Sequence, residues 1–218
     1  KAVSIINTDA GPKPEAAKAD LVVVDPHGTV KARLQKRGIE FTEAASVDQL
    51  PPEPKVLVLG KDAVPEEKST DPMWYGMAAR GTRLLVLDQK SPLHYQAIPA
   101  DLDLTDFAGR VAFSEDLNHP VFAGLEQKDF FTWSKDHIVY RNCYKKASKG
   151  ARSLVQCDLQ LNYSALAECQ AGEGTMLLCQ LVVGEKLDSD PVAQRLFDNL
   201  LAYAASYQPV RKATAVAL

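Results

Sequence analysis

Three runs of consecutive apolar residues mark the N-terminal half of the chain: Leu21-Val22-Val23-Val24, Val56-Leu57-Val58-Leu59 and Leu84-Leu85-Val86-Leu87. They show no polar alternation, so they read as strands buried on both faces of a parallel sheet. The segments between them carry helical spacing. Thr29 to Arg37 places Val30 and Leu34 on one side and is closed by Gly38, a residue suited to a left-handed cap. Asp71-Pro72 opens a second helix bearing Trp74, Met77 and Ala78, which Gly81 closes. Glu40-Phe41-Thr42 reads as a short strand ahead of the Pro51-Pro52-Glu53-Pro54 loop. Strand, helix, strand, helix, strand implies right-handed crossovers and an α/β, doubly wound, mainly parallel sheet.

From residue 110 to 170 the pattern changes to β-type segments at Arg110 to Phe113, Phe130 to Trp133, Ile138 to Tyr140, Ser153 to Cys157 and Leu166 to Cys169. This β-rich extension is expected to rejoin the main sheet through a buried strand from Thr175 to Val183, entered by a hairpin turn at Gly172-Glu173-Gly174. A turn at Gly184-Glu185-Lys186 then leads to the strongest helix. There Asp190 is the cap, Pro191 the first residue, and Ala193, Leu196, Phe197, Leu200, Leu201 and Ala204 form one apolar stripe. The expected organisation is a linker or edge strand over 1–20, one α/β domain over 21–207, and a fraying tail over 208–218.

Composition narrows the classes. With 218 residues, 46% hydrophobic and 24% charged, the chain suits one large domain. Its net charge of −3, from 25 basic and 28 acidic residues, gives no reason to expect nucleic acid or an anionic membrane as a partner. The longest apolar runs are far too short to span a bilayer, and no signal-peptide pattern is present. The chain begins at Lys1, from which removal of an upstream segment is expected. Four cysteines, Cys143, Cys157, Cys169 and Cys179, form no C-x-x-C pair and read as small buried hydrophobes, with one disulfide as the alternative. The histidines, His27, His94, His119 and His137, lack metal-ligand spacing. No metal or cofactor is expected.

The order of elements, the segment His119-Pro120-Val121-Phe122-Ala123-Gly124-Leu125, and Gly174 to Gln180 leading to a helix with Asn199 resemble the class I glutamine amidotransferase-like fold, which is flavodoxin-like. More narrowly, the Leu84 to Gln89 strand, Gly172-Glu173-Gly174, Gln180 and Asn199-Leu200-Leu201-Ala202-Tyr203 resemble non-catalytic domains of that fold in large glycoside hydrolases, such as β-galactosidase trimerisation domains. The resemblance covers roughly residues 20 to 207. It implies other domains of the same polypeptide, carbohydrate or a second copy of the chain as partners, and an extracytoplasmic location if the parent is secreted.

The family's chemistry can be checked residue by residue. Those enzymes carry a cysteine on a glycine-flanked elbow, with backbone N–H groups forming the oxyanion hole. Here the strand runs into Asp88-Gln89-Lys90-Ser91-Pro92, with neither cysteine nor glycine, and Pro92 after Ser91 has no N–H to donate. The family's Gln-Phe-His-Pro-Glu strand reads Gln180-Leu181-Val182-Val183-Gly184. Valine stands in the place of histidine and glycine in that of glutamate, and Glu185, one residue late, would face the other way along a strand. Gln89, Lys90, Gln180, Val182 and Gly184 are therefore degenerate family positions, and no catalytic residue is expected.

Open α/β sheets bind ligands beyond the strand carboxyl ends. That rule nominates Asp25, His27, Gly60, Lys61, Asp88 and Gln89 as ligand-binding residues along one polar edge. The simpler reading of Asp25 and His27 is a turn, with Asp25 binding nearby backbone. His119-Pro120 likewise reads as a structural turn, and Gly172-Glu173-Gly174 lacks the spacing and helix start of a phosphate loop. Phe130, Phe131, Trp133, Tyr140 and Tyr144 are core by pattern and sugar platforms only if exposed. Glu168 and Glu173 are a conceivable carboxylate pair with nothing to fix their separation. Three functions follow: a non-catalytic accessory domain of a carbohydrate-active protein, a hydrolase or transferase using Asp25, His27 and Asp88 at the strand ends, or a stand-alone small-molecule-binding module.

Overall fold

A computed structural model describes residues 6, 8, 11–13 and 20–209. The expected linker or edge strand over 1–20 and the tail over 208–218 lie largely outside the described residues. The strands are β1 (Leu21–Val24), β2 (Thr42–Glu43), β3 (Val56–Leu59), β4 (Arg83–Val86), β5 (Ala108–Gly109), β6 (Ala112–Ser114), β7 (Tyr140–Arg141), β8 (Tyr144–Lys145), β9 (Arg152–Cys157), β10 (Tyr163–Ala171) and β11 (Gly174–Cys179). The helices are α1 (Thr29–Lys36), α2 (Met73–Ala79), α3 (Val183–Lys186) and α4 (Pro191–Ser206). The main sheet runs β2-β1-β3-β4-β11-β10-β9-β6, with β8 also paired to β10. From β2 to β11 every neighbour is parallel; from β11 to β6 every neighbour is antiparallel. The parallel half has the strand order of flavodoxin-like folds.

The unbroken apolar runs are explained by what covers each face. Alternate residues Leu21, Val23, Val56, Val58, Leu85 and Leu177 pack with Val30 and Leu34 of α1 and Leu196, Phe197, Leu200 and Leu201 of α4. The residues between them, Val22, Val24, Leu57, Leu59, Leu84 and Met176, pack with Trp74, Met77 and Ala78 of α2. A strand covered on both sides has no face for a polar residue. Helix α4 starts where Asp190 accepts from the Val192 and Ala193 amides at 2.8 and 3.3 Å, an N-cap that Pro191 complements.

The hairpin at Gly172-Glu173 joins β10 to β11, with Ala171 paired to Gly174. Gly174 is required there, because a Cβ would press into the Thr82 and Ala78 carbonyl oxygens.

Two expectations need correction. The strand from Thr175 ends at Cys179, not Val183, and Gly184-Glu185-Lys186 belongs to one helical turn, α3, rather than to a turn between strand and helix. The valines were poor guides because Lys186 N bonds back to the Val182 carbonyl and the Asp88 side chain holds the α3 amides. Phe130 to Trp133 is not a strand either. Its first residue closes a 3-10 turn over Gln127–Phe130, and within the segment only Phe131 forms a bridge, to Val111. All four cysteines are buried free thiols.

Candidate ligand cleft at the strand carboxyl edge

The loop after β4 is bound to the sheet edge by amide side chains. Gln89 Nε2 donates to the Gly60 and Leu87 carbonyls at 2.7 and 2.6 Å, and its Oε1 accepts from Val64 N at 2.9 Å. Gln180, just past β11, accepts from Gln89 N at 3.1 Å and donates to the Gln89 and Asn142 carbonyls, each at 3.1 Å. Asn142 Nδ2 in turn donates to the Gln89 carbonyl at 3.2 Å. Gln89 and Gln180 are each 2% exposed, so these bonds satisfy groups that water does not reach.

Beside Gln89, the Asp88 carboxylate turns toward α3 and accepts from Gly184 N at 2.6 Å and Glu185 N at 3.2 Å. Gly184 permits that approach: a Cβ there would lie 2.8 Å from Asp88 Oδ1. Burial pushes the Asp88 carboxyl up to about 7, against the opposing pull of the Gly184 amide and the Lys61 charge.

Above this floor opens a cleft of ≈ 260 Å³ lined by Lys61, Asp62, Asp88, Gln89, Lys90, Arg141, Asn142 and Glu185. Glu185 joins its walls, with Lys61 Nζ at 3.0 Å on one carboxylate oxygen and Arg141 Nη2 at 3.6 Å on the other. Arg141 also pairs with Asp136 at 3.0 Å. Asp62 and Asn142 hold left-handed backbone at φ 51° and 49°. Asn and Asp tolerate that region best, and such residues concentrate at functional sites.

Of the residues nominated from sequence, Lys61, Asp88 and Gln89 line this cleft; Asp25, His27 and Gly60 do not. Asp25 is buried, accepts from Lys31 N at 3.0 Å through Oδ2, and has no hydrogen-bond partner at Oδ1 among the described residues. His27 is half-exposed and lies 3.7 Å from Asp62. Among the family positions, Val182 is buried in the core, Gly184 sits in α3, and Lys90 borders the cleft. Glu185 does not face away along a strand, because α3 turns it to the cleft beside Lys61. Asp62, Arg141, Asn142 and Glu185 escaped nomination. Arg141 and Asn142 arrive through β7, which meets the edge at a single bridge, Tyr140 to Leu181, and no local pattern announces that contact.

The resembling motifs around His119 and Asn199 have a structural account. Asn199 Nδ2 donates to the Val121 and Ala123 carbonyls at 3.0 Å each, docking that turn on α4. His119 Nδ1 accepts weakly from Val121 N at 3.4 Å. Trp133 and Tyr144 are core residues, and Glu168 and Glu173 border separate clefts. No group of three or more His, Cys, Asp or Glu suited to a metal ion occurs among the described residues. Nor is any described helix long and apolar enough to cross a membrane.

No family model matches the chain, and no curated protein matches it in sequence. Solved structures do resemble it. A cytoplasmic protein from Salmonella typhimurium is 15% identical, with a TM-score of 0.54 over 84% of this chain and 98% of its own. A β-galactosidase from Rahnella sp. R3 is 10% identical, with a TM-score of 0.48 over 85% of this chain, which spans 31% of that enzyme. A ThuA-like protein from Parabacteroides merdae is 14% identical, with a TM-score of 0.48 over 89% of this chain and 92% of its own. At 15% identity the Salmonella protein shows a shared α/β fold alone, and the strand order of the parallel half makes that fold flavodoxin-like here.

Proposed function

We propose that this chain is a non-catalytic amidotransferase-like domain, an accessory unit of a carbohydrate-active multidomain protein, that holds a small uncharged polyhydroxylated ligand in the cleft over Asp88. The observation that carries this reading is the charge balance of the cleft. Three cations, Lys61, Lys90 and Arg141, share the lining with Asp62, Glu185 and Asp88, the last with its charge held back by burial. Such a lining offers hydroxyl groups both donors and acceptors and favours no net ligand charge. Thermal denaturation against a panel of mono- and oligosaccharides, with glutamine included, tests it. A sugar at ten times its dissociation constant adds about 1.4 kcal/mol and raises the midpoint by about 3 to 5 °C. Arg141→Ala should abolish the rise. If no sugar produces one, the ligand reading fails and a scaffold or interface role stands in its place.

A second reading, a hydrolase or transferase at the same edge, draws support from the Asp88 carboxyl at about 7, a value suited to proton transfer at neutral pH. Against it, both Asp88 oxygens are occupied by backbone amides. Turnover of a sugar or amide that Asp88→Asn abolishes would favour this second reading.

A further inference from the structure

A second cleft, of ≈ 410 Å³, opens on β9 and β10 and is lined by Gly150, Ala151, Arg152, Glu168 and Gln170. That volume suits a small molecule. Glu168 borders it and is only 5% exposed. The Tyr203 hydroxyl donates to Glu168 Oε1 at 2.6 Å, whereas no donor reaches Oε2 among the described residues. Arg152 lies across the ladder from Glu168 but gives its guanidinium to Asp116, 3.3 Å away. His119, packed edge-on to the Tyr203 ring at 4.9 Å, is held below its usual pKa by burial, against the opposing pull of the Glu168 charge. Glu168 Oε2 opens to the cleft, where a cation meeting this otherwise shielded carboxylate gains a charge-assisted bond. Glu168 has no such partner within the described chain, and Glu168, Arg152 and Asp116 together carry one net negative charge.

We propose that this cleft binds the primary ammonium group of a small amine, which completes the ion pair that Glu168 lacks. The geometry favours ammonium over guanidinium. A guanidinium fork uses both carboxylate oxygens and would have to share Oε1 with the Tyr203 hydroxyl. An ammonium is a point charge that can sit on Oε2 alone.

The test compares 5-amino-1-pentanol with 1,5-pentanediol, which replaces the ammonium by a hydroxyl. The amine at ten times its dissociation constant should raise the thermal midpoint by about 3 to 5 °C, and the diol should not. Glu168→Gln keeps an acceptor for Tyr203 and removes the charge, so it should abolish the rise. Gln170→Trp, on the exposed rim, closes the cleft without touching the core and should do the same even if Glu168→Gln folds poorly. The proposal is overturned by an equal rise with the diol, or by a rise that survives either substitution. It is also overturned by no rise with up to roughly 50 mM amine, a level that saturates even a millimolar site.

Discussion

The Asp88 carboxyl should make the protein less stable as the solution becomes more alkaline. In the folded chain burial lifts it from 3.8 to about 7. Below about pH 4 folded and unfolded chains both hold this proton, and well above pH 7 neither does. Between those limits the folded chain keeps a proton that the unfolded chain has released, so the folded state binds more protons and stability falls as pH rises. At about 1.4 kcal/mol per pH unit, the full loss is about 4 kcal/mol. Urea denaturation between about pH 4 and about pH 8, run on the wild type and Asp88→Asn, isolates this group. Asparagine offers one oxygen to two amides, at Gly184 and Glu185, so the variant carries a constant penalty; only the pH dependence of the difference matters. The stability of wild type minus variant should fall by about 4 kcal/mol over this range. A flat difference would show that the two amides and Lys61 outweigh burial and that Asp88 is ionised throughout.

The remaining predictions concern the scaffold. Asn199→Ala leaves the Val121 and Ala123 carbonyls without their side-chain donor and should cost about 2 kcal/mol, a fall of about 4 to 8 °C in the thermal midpoint, with no change in any ligand response. Gly174→Ala forces a Cβ onto the Thr82 and Ala78 carbonyls and should cost about 3 kcal/mol by urea denaturation, whereas Glu173→Ala in the same turn should stay within about 0.5 kcal/mol of wild type. Lys186 is 2% exposed and donates to the Ser134 and Ile138 carbonyls, both at 2.8 Å, and to Asp136 at 2.5 Å. Lys186→Met should cost about 3 kcal/mol. It should also release Asp136, held at about 2 chiefly by this hydrogen bond, to titrate higher in a carboxyl NMR titration.

Much of this architecture could be read from short-range patterns, because its causes are short-range. The valine and leucine runs of β1, β3 and β4 report burial on both faces, and Asp190-Pro191 with a three-and-four stripe reports a capped helix on a sheet. The failures share the opposite cause. Val182 and Val183 look like strand, yet the chain there turns into α3, held by Asp88 from 96 residues away. Lys186 looks like a solvated turn residue, yet its ammonium is buried against three oxygens from the β7 approach. Arg141 and Asn142 look unremarkable because the two-residue strand Tyr140–Arg141 brings them in, with Asn142 just after it, and two residues carry no period to read. The cleft is thus half legible. Lys61, Asp88 and Gln89, which follow the parallel strands directly, could be nominated; Arg141 and Asn142, at the end of an irregular loop, and Asp62 and Glu185, set by local turns, could not.

The same edge also differs from the resembling enzymes in more than side chains. An oxyanion hole needs backbone N–H groups left free to meet a developing charge. At this elbow Gln89 N donates to the Gln180 side chain and Lys90 N to Asp62, while the amides of Gly184 and Glu185 are taken by Asp88. A graft restoring cysteine, histidine and glutamate as Gln89→Cys, Val182→His and Gly184→Glu should therefore release no ammonia from glutamine. It should also unfold more easily, for three reasons. Cysteine abandons the bonds Gln89 makes to Gly60, Leu87 and Val64. Histidine enters a fully buried site, and a Cβ at residue 184 meets Asp88 and the Lys61 amide at 2.8 and 3.1 Å. Ammonia release above that of wild type by the folded graft would refute the argument, since it would mean that those amides give up their present partners when a substrate carbonyl arrives. Without such activity, a ligand of the kind proposed would have to satisfy the side chains that face outward from this edge, Lys61, Arg141 and Glu185.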